Sequence, residues 1–155
     1  MALQVGGWGK VPSKTVKELY RPEACSVQQR VPDLPVPLRA HVAIEVKDLG
    51  LLVCGGTSEA HNSVPGRDCF IFSHKDGEWK QFHKLNIGRI NAYVKLTGDK
   101  IIIIGGSSTD PFNTCLQTEE VLELDAKKMK KGWKVRETSQ HLCSKGSEVV
   151  AEFSC

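Results

Sequence analysis

The sequence predicts an all-β fold built from a repeated unit, and three observations carry that reading. Leu51-Leu52-Val53-Cys54-Gly55-Gly56 is echoed fifty residues later by Ile101-Ile102-Ile103-Ile104-Gly105-Gly106, and a fainter copy, Leu3-Gln4-Val5-Gly6-Gly7, lies forty-nine residues before the first. A fixed period of this size marks a repeat protein whose units bury their apolar faces against one another. Second, short runs of Val, Ile, Leu, Phe and Tyr are bounded by Gly, Asp, Asn and Pro, which are strand signals. Third, no segment sustains the i, i+3, i+4, i+7 spacing of a long helix.

Taken in order, the first unit supplies strands over 2–7, 16–21 and 25–30, the second over 40–46, 50–55, 68–73 and 78–83, and the third over 90–96, 100–105, 119–124 and 132–137. The four-isoleucine run is apolar on both faces, which marks an inner, doubly covered strand. The glycines let the backbone pass where a side chain would clash, and they admit positive φ. Before the doublets, Arg39-Ala40-His41 corresponds to Arg89-Ile90-Asn91 at the same spacing of fifty. After them, Cys69-Phe70-Ile71-Phe72-Ser73 corresponds to Val121-Leu122-Glu123-Leu124-Asp125. A charged turn and a tryptophan follow, Asp76-Gly77-Glu78-Trp79 and Lys131-Gly132-Trp133. Each indole belongs in the core between units, with one partner for its N–H. The first unit reads Val16-Lys17-Glu18-Leu19-Tyr20 and then has Cys25 where the tryptophan would stand. The predicted core is Leu52, Val53, Phe70, Phe72, Trp79, Ile102, Ile103, Val121 and Trp133.

At 155 residues, with 40% apolar and 25% charged side chains, the composition is that of an ordinary globular domain. The net charge is only +3, and the one basic cluster, Lys127-Lys128-Met129-Lys130-Lys131, reads as a solvated turn. No apolar run approaches the roughly 20 residues of a membrane span, and no signal peptide is visible at the N-terminus. Neither nucleic acid nor membrane is an expected partner. Six cysteines, at 25, 54, 69, 115, 143 and 155, lack a zinc spacing such as C-x-x-C. The five histidines are scattered, without paired-ligand spacing. Neither a G-x-S-x-G elbow nor a P-loop occurs, so no cofactor, metal or catalytic residue is expected.

Four strands per unit of about fifty residues, an aliphatic run into Gly-Gly and a following tryptophan together resemble the kelch repeat of β-propellers. The resemblance spans residues 2 to 153. The family's tyrosine-acid pair is degraded in every unit, to Tyr20-Arg21, Phe72-Ser73 and Leu124-Asp125. The resemblance implies a kelch-type propeller of about three four-stranded blades: repeat 1 over about 2–35, lacking its first strand, repeat 2 over about 36–85, repeat 3 over about 86–140, and a C-terminal strand over about 148–153. Such propellers close by pairing strands from the two chain ends, and typical rings hold four to eight blades. Three blades therefore imply either a fragment of a longer propeller or a homodimer. In the homodimer, the strand 148–153 of one copy completes the first blade of the other in a ring of about six.

On this resemblance the chain is a non-catalytic protein-interaction module, a scaffold or substrate-recruiting propeller with a protein partner. The alternative is a propeller enzyme acting on a glycan or small molecule, since copper radical oxidases and sialic-acid epimerases share the fold. Only Tyr20 and Tyr93 could serve a copper constellation, and neither stands in a ligand motif. Interaction-type kelch propellers draw contact side chains from just before the first strand and just after the glycine doublet. By match of motif these are His41 and Asn91, then Trp8, Thr57 and Ser107, with Arg39 and Arg89 flanking the mouth. Trp8 reads either as an exposed anchor or as core, and the two arginines either as contacts or as braces between blades. Cys54 and Cys69 fall on adjacent strands, where opposed Cα atoms stand about 4.5–5.5 Å apart, so they read as a disulfide or as two buried thiols. An oxidised pair implies an extracellular or lumenal protein; the default is otherwise intracellular.

Overall fold

The chain lays down three antiparallel sheets, in a computed structural model that describes residues 2–5, 12–20, 30–58, 64–108, 115–139 and 150–152. β1 (Ala2–Val5) and β2 (Val16–Tyr20) begin the first sheet. β3 (Arg39–Val46), β4 (Gly50–Thr57), β5 (Cys69–Ser73) and β6 (Glu78–Gln81) form the second as a simple meander. β7 (Tyr93–Thr97), β8 (Lys100–Ile104), β9 (Thr118–Glu123) and β10 (Lys134–Glu137) form the third, with a one-turn helix, α1 (Ala126–Met129), between its last two strands. β11 (Val150–Glu152) pairs with β1, Leu3 opposite Ala151, so the first sheet runs β11-β1-β2. The C-terminal strand is thus engaged within its own chain, whereas the composite dimer would lend it to a second copy. Cys25, and the expected strand over 25–30 apart from Arg30, lie outside the described residues.

The second and third sheets repeat one another, but not at a single spacing. Ala43 pairs with Val53 as Val94 pairs with Ile103, an offset of 51 from β3 to β7 and of 50 from β4 to β8. The difference is one residue of turn: Lys47-Asp48-Leu49 joins β3 to β4, while Gly98-Asp99 alone joins β7 to β8. Two correspondences drawn from the sequence are therefore corrected. Ala40 and Asn91, with φ of 55° and 53°, occupy the same place, so Arg39 answers to Ile90, His41 to Ala92, and Arg89 to Leu38. Likewise Val53 pairs with Phe70 as Ile103 pairs with Glu120, so Cys69–Ser73 answers to Glu119–Glu123 rather than to residues 121–125. In the first case a pattern anchored on a uniform period of fifty cannot see a turn that is one residue shorter; in the second the period of fifty holds, and matching apolar Phe70-Ile71-Phe72 to the apolar residues after Glu120 shifted the register by two.

Alternation along the strands gives the second and third sheets two apolar faces each. One face of the second sheet (Ala43, Leu51, Val53, Phe70, Phe72) packs on Val16 of β2 and on Val31, Leu34 and Leu38 of the preceding linker. Its other face (Val42, Val46, Leu52, Cys54, Cys69, Ile71) packs on Leu85, Ile101, Ile103, Leu122 and Trp133. Ile102, Ile104 and Val121 form the remaining face of the third sheet. Each fully buried aliphatic or aromatic side chain contributes about 1.5–3 kcal/mol, so the sheets are held chiefly by these interfaces. β8 is covered on both faces, as its four isoleucines require.

The two tryptophans tie each sheet to the chain before it. Trp79 Nε1 donates to Pro32 O at 2.9 Å, and Trp133 Nε1 donates to His83 O at 2.9 Å. Trp133 is buried at 5% exposure, whereas Trp79, expected in the core, is only half-buried because β6 is an outer edge strand whose other residues face solvent. Replacing Trp133 with Ala is expected to cost about 3–5 kcal/mol through an uncollapsed cavity, and Trp79→Ala visibly less. Chemical denaturation midpoints check this; equal losses, or none, would contradict the two interfaces.

Candidate functional site

The residues singled out from the sequence gather where the glycine doublets end the inner strands. Gly56 has φ +80°, and a Cβ there would stand 2.6 Å from Arg39 O; Gly106 has φ +79°, and a Cβ would stand 2.6 Å from Ile90 O. No L side chain fits either place. The doublet thus lets the segment entering a sheet cross closely over the strand leaving it.

Around this crossing Arg39 lies opposite Thr57 and His41 opposite Gly55, while Ile90 bridges Ser107. Asn91 N donates to Ala40 O at 2.9 Å, which joins the two groups at one end of the sheets. The structure therefore brings Arg39, His41, Thr57, Arg89, Asn91 and Ser107 together. It also buries all six, at 1–8% exposure. The physical reason is the linker 86–91, which lies across the doublet of the second sheet, Gly56 N donating to Arg89 O at 2.7 Å. Trp8 lies outside the described residues.

Arg89 is the centre of a buried network. Its Nε donates to Glu120 Oε1 at 3.3 Å, its Nη1 to Gly105 O at 2.8 Å and Thr118 O at 2.9 Å, and its Nη2 to Thr118 Oγ1 at 2.9 Å. Glu120 Oε2 accepts from Asn86 N at 2.7 Å and Asn86 Nδ2 at 2.9 Å, and its Oε1 accepts from Ile87 N at 2.9 Å. The two side chains are 1% and 0% exposed. Burial pulls the Arg89 guanidinium down from the ordinary arginine range and Glu120 pushes it back, the balance that makes such a pair tolerable. Sequence reading had offered Arg89 as either contact or brace; the brace is what the hydrogen bonds describe. Glu120 and Asn86 were missed, although one signal was legible: an acid in the middle of a strand otherwise destined for the core.

A second charged cluster borders the other end of the third sheet. There Glu123 accepts from Lys128 at 2.8 Å and from Lys134 at 3.2 Å, while Arg136 pairs with Glu119 back at the doublet end. Hydrogen bonds from Lys128 and Lys134 lower the Glu123 carboxyl from 4.5 to about 2.

Cys54 and Cys69, directly opposed on β4 and β5, are joined in a disulfide with Cα atoms 4.1 Å apart. Cys115 is disulfide-bonded as well, and no cysteine among the described residues is free. Among the described residues no group of three or more His, Cys, Asp and Glu side chains could hold a metal, and no helix is long and apolar enough to cross a membrane. Compared with known protein families and with curated proteins, the chain matches none.

Two outcomes follow from the charges. Glu120→Gln or Arg89→Leu alone is expected to cost about 3–5 kcal/mol, because each leaves a lone buried charge. The double variant should lose clearly less than the sum of the two, read from urea midpoints. Strict additivity would mean that the pair is not coupled. For Glu123, the folded-state value is depressed, so its contribution to stability is present above pH 4.5 and lost as pH falls toward 2. Carboxyl NMR titration should place its midpoint near 2 in the intact chain and back in the ordinary range when Lys128 and Lys134 are both replaced by Ala.

Proposed function

We propose that the chain is a kelch-type β-propeller segment that works as a non-catalytic protein-interaction module. The observation that supports this best is the repetition between the second and third sheets: the same meander order, the same positive-φ entry at Ala40 and Asn91, the same close approach at Gly56 and Gly106, and the same indole tie into the preceding linker. Scaffolds of this kind are rigid, and recognition falls to the connections they carry.

The polar side chains at the doublets serve the joint between sheets, so the contact surface is assigned to the described parts of the connections that leave it, Ser58 with residues 64–68 and Ser108 with residues 115–117. The disulfide Cys54–Cys69 closes the base of the first of these. Val64, 81% exposed on that connection, is the apolar residue placed to anchor a partner.

Affinity capture with the full chain, followed by titration of the purified partner, tests this reading. Ser58→Arg with Val64→Asp should weaken binding about tenfold, the scale of one good anchor, without moving the thermal melt. Unchanged binding would remove the assigned surface. Turnover of a glycan or small molecule by the purified chain would replace the reading with the enzymatic one.

A further inference from the structure

The connection between β9 and β10 is where the third sheet departs most from the second. His74-Lys75-Asp76-Gly77 suffices to join β5 to β6, whereas residues 124–133 join β9 to β10 and carry α1. The insertion is firmly mounted. The Asp125 carboxylate accepts from the backbone N–H groups of Lys127 and Lys128, each at 3.1 Å, and Leu124 and Met129 pack half-buried against the core between the sheets. Lys127, Lys128, Lys130 and Lys131 are thereby held outward, all exposed.

This ledge concentrates the charge of the molecule. Residues 124–137 hold six cations against two acids, while the rest of the chain has one more acid than base. Three of the six are committed, Lys128 and Lys134 to Glu123 and Arg136 to Glu119. Lys127, Lys130 and Lys131 have no ion pair among the described residues, and they stand at the i, i+3, i+4 spacing of one side of a helical turn. Like charges at that spacing repel one another, so the arrangement costs stability unless an anion settles on it.

We propose that this basic ledge binds a sulfated polysaccharide. Lysines are flexible point charges that follow a chain of separate oxyanions without the fixed fork geometry of arginine. A single-stranded nucleic acid would need an aromatic platform for its bases, and the one aromatic of the connection, Trp133, is buried with its N–H given to His83. An acidic peptide would need an apolar anchor among the charges; the exposed side chains of the connection are Asp125, Ala126 and the lysines, and the one exposed large apolar residue of the ledge, Val135, lies beyond them on β10. The disulfides at Cys54–Cys69 and Cys115 place the protein in an oxidising compartment, where sulfated chains are the polyanions at hand.

The test is calorimetric titration of the full chain, disulfides intact, with a heparin-derived hexasaccharide at low and physiological salt. Poly-glutamate and a single-stranded oligodeoxynucleotide of matched charge serve as comparators. The hexasaccharide should bind, with affinity falling as salt rises. Lys127→Ala, Lys130→Ala and Lys131→Ala together should weaken it about tenfold, the product of three screened contacts of roughly twofold each. Lys47→Ala with Lys75→Ala, equally exposed elsewhere, should change it by less than about twofold, and all thermal melts should coincide. Absence of saccharide binding, an equal loss in the control variant, or tighter binding of either comparator would overturn the proposal.

Discussion

The joint at Arg89 is what the described structure turns on. Its backbone belongs to the second sheet: Arg89 N donates to Gly66 O at 3.1 Å and Arg89 O accepts from Gly56 N at 2.7 Å. Its guanidinium belongs to the third, reaching Gly105, Thr118 and Glu120. One residue therefore rivets two sheets whose apolar faces would otherwise be free to slide. Hydrophobic packing is non-directional and fixes proximity; a guanidinium with donors in a rigid fork fixes register. The glycine doublet is the other half of the joint, since only a bare Cα lets the linker approach closely enough for its carbonyl to be caught.

The preceding joint uses different chemistry at the same address. Leu38, the counterpart of Arg89, exchanges backbone hydrogen bonds with Ser13 at 2.9 and 3.2 Å, and Phe70, the counterpart of Glu120, lies with it in one apolar cluster. A leucine and a phenylalanine at the second sheet thus take the place of a buried ion pair at the third. Apolar contacts tolerate small displacements, whereas an ion pair that loses one hydrogen bond is left with an undischarged desolvation cost. In both joints the entering linker is held by its main chain, through the N–H and carbonyl of Leu38 in one and of Arg89 in the other, and the side chains differ around that hold.

Much of this architecture was legible in the chain. The aliphatic runs, the doublets and the tryptophans mark strands β4, β5, β8 and β9 and the ties between sheets, because each depends on local residue type and short-range alternation. What was not legible depends on distant partners. Arg89 and His41 look like surface residues, and only the linker folding over the doublet buries them. Glu120 looks misplaced until Asn86 and Ile87 arrive from thirty-odd residues away to satisfy its carboxylate. The one-residue difference between Lys47-Asp48-Leu49 and Gly98-Asp99 shifts the true correspondence of Arg89 from Arg39 to Leu38, and so moves a supposed motif residue into the core.

The bond between Cys54 and Cys69 also governs how the molecule would behave under load. It bridges residues 15 apart, so the intervening chain forms a closed loop that tension on the termini cannot extend. That withholds on the order of 50 Å of contour length, at about 3.5 Å per residue. The third sheet has no such bridge at the equivalent residues, Ile104 and Glu119. Drawn from both ends, the second sheet would keep a knot of covalent structure between β4 and β5 that the third sheet lacks at the equivalent pair of residues. The two repeats are alike in shape but unlike as springs.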